Sequence, residues 1–282
     1  LDSDTKVALL SGAPFDDPSW WLLSNDQIMQ ARAAINKVAG SRRMFGHTVI
    51  TPGQDGWMDE VDRGIAELKP DSWKCYTVGD PLSPSTKGTA WRLDDEKLVY
   101  PWYEKAVKSG INTICIHKGL LPQDYETSWP GIWKNATVDD VLKAAKDWPN
   151  INFVIYHGAM RTFLEDPSNS QEKFERTGRN DWTTDVCELA SKHGLKNVYA
   201  ELGTTFATVA VTAPRLAAGM FGQFVNHMGA DHVVWGSDSV WYGSPQWQIE
   251  AMRRLEIPDD IMKKFKFKTH LGGPNSEVKQ KI

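Results

Sequence analysis

The fold class predicted from the sequence is a parallel α/β barrel, on two observations. Apolar, strand-like runs begin near Val7, Phe45, Trp73, Asn112, Asn152, Val198 and Val233, and each is followed by a stretch of helical period, with no series of consecutive hairpins. Three of these runs end on a residue able to carry a proton or bind a metal: 111–116 leads into His117, 151–156 into His157, and 233–237 into Asp238. In a parallel barrel the C-terminal ends of the strands form the active-site face, so this recurrence points to chemistry rather than to packing.

Each element has its own justification. The run at Val7 precedes an amphipathic stretch at 26–35, with Ser24 and Asn25 as its cap residues. The runs at Phe45 and Trp73 precede helical patterns at 58–65 and 96–108. Those at Asn112 and Asn152 precede 138–146, opened by Thr137, and 183–193, opened by Asp181. The last two precede 214–228 and 246–255. Strand starts lie about 38 residues apart on average, more than the roughly 31 of a minimal eightfold barrel. The excess falls in segments 79–91, 118–136 and 161–180, which read as loops after strands. An open doubly wound sheet would carry a glycine-rich phosphate loop, and neither G-x-G-x-x-G nor G-x-x-x-x-G-K-S/T occurs. The expected fold is therefore a (β/α)8 TIM barrel of which seven strands are visible, the first apparently missing from this chain.

Composition narrows the function. The 282 residues carry a net charge of −4, from 32 basic and 36 acidic side chains, which gives no electrostatic ground for nucleic acid or an anionic membrane. No apolar run approaches the roughly 18 to 20 residues of a membrane helix. Three scattered cysteines, Cys75, Cys115 and Cys187, suit neither a disulfide framework nor a cysteine zinc site. They fit a reducing compartment, and a cytoplasmic location is expected. The chain has thirteen tryptophans, and those clustered at 20–21, 129–133 and 241–247 would wall a pocket or anchor loops. Both ends read as cut, because Leu1 opens the chain without a methionine and 276–282 stops within a helical pattern.

Among the strand-end residues, His117 could bind a divalent ion or hydrogen-bond a loop carbonyl. His157 could bind a metal or act as a general acid or base, and Asp238 could do either or simply cap a helix. Lys74 and Glu201, on strand ends, could face the barrel mouth or serve as ion-pair partners. Arg161 could anchor a substrate carboxylate by two parallel hydrogen bonds or brace its loop. His47, in mid-strand, reads as a buried, hydrogen-bonded histidine.

The ordered set Ile114-Cys115-Ile116-His117-Lys118-Gly119, Phe153-Val154-Ile155-Tyr156-His157-Gly158 and Val234-Trp235-Gly236-Ser237-Asp238, with lesser support from 197–201, resembles the amidohydrolase superfamily. The branch it resembles is that of the amidohydrolase-related hydrolases and the aminocarboxymuconate-semialdehyde decarboxylase-like enzymes. The resemblance implies one barrel domain over 1–282, holding strands two to eight of the family's fold. It implies His117 and Asp238 as metal ligands and His157 as proton carrier or auxiliary ligand; Arg161, Glu201 and Lys74 are the candidate substrate contacts on the residue reading above. The implied cofactor is one divalent ion, zinc first and manganese or another second, acting on a bound water. The implied reaction is hydrolysis of a C–N or C–O bond, or a related non-oxidative decarboxylation, of a small carboxylated or cyclic molecule. One departure stands out: the His-x-His or Glu-x-His pair of the family's first strand occurs nowhere here. A metal-independent lactonase-like enzyme and a non-catalytic binding barrel are the alternatives. The expected partner is a small-molecule substrate, with a homodimer allowed.

Overall fold

The computed structural model describes residues 3–84, 89–162 and 166–282. Strands β1 (Ala8–Leu10), β2 (Met44–Val49), β3 (Ser72–Tyr76), β4 (Thr113–His117), β5 (Asn152–Tyr156), β6 (Val198–Glu201) and β7 (Val233–Val234) form one sheet in sequential order. The pairs β1–β2, β2–β3, β3–β4 and β6–β7 are all parallel, and helices connect the strands, which is the strand–helix order of a TIM barrel. Among the described residues no helix is long and apolar enough to cross a membrane.

The chain divides into two compact units. The first comprises 5–117 and 124–154. Its opening helix, Asn25–Ala39, starts at a capping box of Ser24 and Gln27 and stops at Gly40 in the left-handed conformation. Asn25 ties that helix to β2, exchanging hydrogen bonds of 2.7 and 3.1 Å with the backbone of Val49. The core is aromatic. Trp102, fully buried on the helix Tyr100–Ser109, meets Trp73, Trp57 and Trp91 edge-on at 6.1, 6.4 and 6.4 Å between ring centroids.

The second unit comprises 1–4, 118–123 and 155–282. The helix Pro214–His227 is buried from Leu216 to Val225, and its small residues admit neighbouring rings. A Cβ on Gly219 would lie 2.1 Å from Phe174, and one on Gly222 would lie 2.2 Å from Phe267.

Four expectations need correction. Segment 161–180 is not all loop: it carries the helix Pro167–Thr177, capped by Asp166 and ended by Gly178, with residues 163–165 outside the described residues. That helix is polar apart from the buried Phe174, so it lacks the apolar period that would announce it. Segment 118–136 likewise holds short turns at Tyr125–Ser128 and Ile132–Ala136, while 85–88 of the loop 79–91 lie outside the described residues. Thr137 caps no helix; its hydroxyl donates back to the Lys134 carbonyl at 2.9 Å. Asp181 gives its carboxylate to Arg161 and Lys173, and Asp185 takes up the amide of Trp182 at 3.0 Å instead. For Thr137 and Asp181 a tertiary or local partner competes successfully for the polar side chain.

Candidate active site

Two of the polar residues at the strand ends of the second unit, His157 and Asp238, sit on unusual backbone. After β5 the chain turns left-handed for three residues in succession, His157 (φ 60°), Gly158 (φ 51°) and Ala159 (φ 55°), and Asp238 after β7 does the same (φ 49°). A left-handed L-residue costs about 1–2 kcal/mol, and such strain collects where function over-determines the backbone. Local bonds hold the turn: the His157 carbonyl accepts the Met160 amide at 3.0 Å and the Thr205 hydroxyl, and the His157 amide donates to Glu201 Oε2 at 3.1 Å. Gly158 has to be glycine, since a Cβ there would stand 2.5 Å from the ring of Phe224.

Around this turn one imidazole faces two carboxylates. His157 Nδ1 lies 3.8 Å from Glu201 Oε2 and 3.8 Å from Asp238 Oδ2, and both His157 and Glu201 are buried. Glycines make room for the Glu201 carboxylate: a Cβ on Gly236 would fall 1.5 Å from Oε1, and one on Gly203 would fall 2.9 Å from it. Thr204, in the helix Gly203–Val209, reaches both partners. Its hydroxyl donates to Asp238 Oδ2 at 2.5 Å and its amide to His157 Nδ1 at 3.2 Å. Burial raises the Tyr242 hydroxyl above its ordinary pKa, Thr204 opposes this through a hydrogen bond, and the Asp238 charge adds to it.

His117 and Lys74 belong to the first unit. His117, ending β4, stacks on Tyr76, which ends β3, at 4.7 Å between ring centroids. Lys74, buried on β3, holds its ammonium 5.0 Å from the same tyrosine ring. His47 is buried and bonded to Ser72 Oγ at 2.8 Å; burial first, then Lys74, lowers its pKa to about 3, so it stays neutral. In the second unit Arg161 pairs with Asp181 at 2.9 Å, the same carboxylate that takes Lys173. The structure thus gathers His157, Glu201 and Asp238 and engages Arg161 with Asp181. Thr204 and Tyr242 escaped the sequence reading. The only signal for the former was a pair of hydroxyls, Thr204 and Thr205, directly after a strand ending in Glu201.

An imidazole and two carboxylates are suitable donors for a divalent ion in chemical terms. Their arrangement is not suitable, because Nδ1 is turned to the Thr204 amide and Asp238 to the Thr204 hydroxyl. Among the described residues no three His, Cys, Asp or Glu side chains are placed to share an ion. As arranged, they do not make a complete metal site.

Comparison with known proteins adds the family. Solved structures with similar backbones include an uncharacterised TIM-barrel protein from Bordetella bronchiseptica, at TM-score 0.60 and 15% identity over 92% of this chain and 74% of that one. A 5-carboxyvanillate decarboxylase from Sphingomonas paucimobilis aligns at TM-score 0.49 and 14% identity, over 86% and 71% of the two chains. A 2,6-dihydroxybenzoate decarboxylase aligns at 0.46 and 13%, over 86% and 76%. The first likeness speaks for the fold alone, and the other two are too distant to carry an argument. No curated protein matches the sequence. The family model described as Amidohydrolase matches residues 29–269. The chain therefore belongs to the amidohydrolase family, and is an enzyme.

Proposed function

We propose that this enzyme hydrolyses a C–N or C–O bond of a small organic molecule, carboxylated or cyclic, with His157 and Asp238 as its catalytic pair. The supporting observation is the buried imidazole held 3.8 Å from two carboxylates, with His157 and Asp238 both on left-handed backbone. In this reading Asp238 takes the proton of the attacking water and returns it to the leaving group, neutral His157 donates a hydrogen bond to the developing oxyanion, and Glu201 holds the backbone of His157. Water activation and non-oxidative decarboxylation draw on the same groups, so product analysis decides between them. Family members generally use a divalent metal, which when bound acidifies water or polarises a carbonyl. Zinc is the expectation for this chain, read by its metal content after purification.

The test is turnover of a panel of lactones, amides and aromatic carboxylic acids, followed by product and CO2 detection. Asp238→Asn and His157→Gln should each lower turnover by about 10²–10⁴-fold without loss of the cooperative unfolding transition. Wild-type rates in both variants would remove the assignment.

A further inference from the structure

The hydrogen bond from Thr204 to His157 fixes more than a ring orientation. A backbone N–H can only donate, so the nitrogen it meets must offer a lone pair. At 3.2 Å the Thr204 amide is within bonding distance of His157 Nδ1, whereas the nearest oxygens of Glu201 and Asp238, at 3.8 Å, are not. A proton on Nδ1 would point at the amide hydrogen and orphan a buried donor, a loss of about 1–3 kcal/mol. The two carboxylates taken alone would favour that proton, so the amide decides against the electrostatics. Neutral His157 then carries its hydrogen on Nε2, and Nε2 has no lone pair left for a metal.

We infer that Thr204 is the positioning residue of this site: its amide holds His157 as the Nε2–H tautomer, a hydrogen-bond donor rather than a metal ligand, while its hydroxyl holds Asp238 as the acceptor. One residue thereby sets both halves of the pair. Thr204 and Thr205 open the same helix, and the Thr205 hydroxyl on the His157 carbonyl locks the imidazole's own backbone against that helix. The strained turn and the tautomer are two consequences of one contact surface. For its catalytic meaning the inference rests on the roles of His157 and Asp238 proposed above, but the tautomer itself can be read without any substrate.

The measurement is long-range proton–nitrogen correlation NMR of the full chain labelled with 15N-histidine at pH 7.5, with the His157 signals identified by their loss in His157→Gln. The wild type should show a protonated Nε2 and a bare Nδ1, and added Zn2+ should leave that pattern unchanged. Thr204→Val keeps the amide, so it should keep the tautomer. Thr204→Pro removes the amide hydrogen and should move the proton to Nδ1, or share it between the nitrogens. A protonated Nδ1 in the wild type, whether singly or with Nε2, would overturn the inference. So would loss of the Nε2 proton on adding Zn2+, or an unchanged pattern in a folded Thr204→Pro. Should Thr204→Pro fail to fold, the wild-type and Zn2+ spectra still decide. Inactivity of the enzyme on every substrate tried would count against the proposed function and leave the tautomer result standing.

Discussion

The two compact units stabilise themselves in opposite ways. The unit of 5–117 and 124–154 buries tryptophans on relaxed backbone; among its described residues the single left-handed non-glycine residue is Lys69, which ends a helical segment. The unit of 118–123 and 155–282 carries Leu120, His157, Ala159 and Asp238 in that conformation at loop and strand ends, together with a buried imidazole between carboxylates. Aromatic packing is strong and tolerant of where charge lies, since it gains from area and ring geometry. A charged cluster gains only when its donors and acceptors are fixed, and fixing them here requires φ values that L-residues avoid. Rigidity in one unit comes from bulk, in the other from constraint.

The largest test of that contrast is Trp102→Ala. It should lower stability by about 3–5 kcal/mol in chemical denaturation, because the ring is the centre of the aromatic cluster. A loss below about 1 kcal/mol would show that the tryptophans do not carry that unit. Next comes Gly158→Ala in the other unit. It combines a left-handed L-residue with a collision against Phe224 and should cost about 2–4 kcal/mol. A neutral effect there would mean that the turn is not constrained.

A third, pH-dependent effect isolates the buried His47. The folded-state pKa of His47, about 3, lies below its ordinary 6.5, so the unfolded chain binds its proton first. The stability this contributes is complete above pH 6.5 and is lost as the pH falls toward 3, with a slope of up to about 1.4 kcal/mol per pH unit. Denaturation midpoints of His47→Gln should show a shallower acid slope over that window; an identical slope would assign the acid loss elsewhere. The smallest effect is expected for Lys69→Gly. This exposed position relieves left-handed strain against the entropy of glycine and should raise stability by on the order of 0.5 kcal/mol. A decrease would mean that Lys69 φ is not strained, and would weaken the same argument at His157.

Much of the architecture was legible in the sequence. All seven strands start within a residue or so of where the apolar runs begin, and the helices Thr183–His193 and Pro214–His227 follow their periodicity. Period and burial are local consequences of side-chain alternation, so they survive in one dimension. The polar helix Pro167–Thr177 and the caps Thr137 and Asp181 were not legible, because nothing local separates a cap from an ion-pair partner.

The sequence by itself determined the barrel class and placed His157, Glu201 and Asp238 on strand ends, since a parallel sheet in sequential order sends those ends one way. Tertiary structure alone decided that the three meet, that Gly203 and Gly236 clear the space for Glu201, and that Thr204 stands over both His157 and Asp238. Those are angstrom-scale matters of which nitrogen an amide reaches, and spacing along a chain carries no record of them.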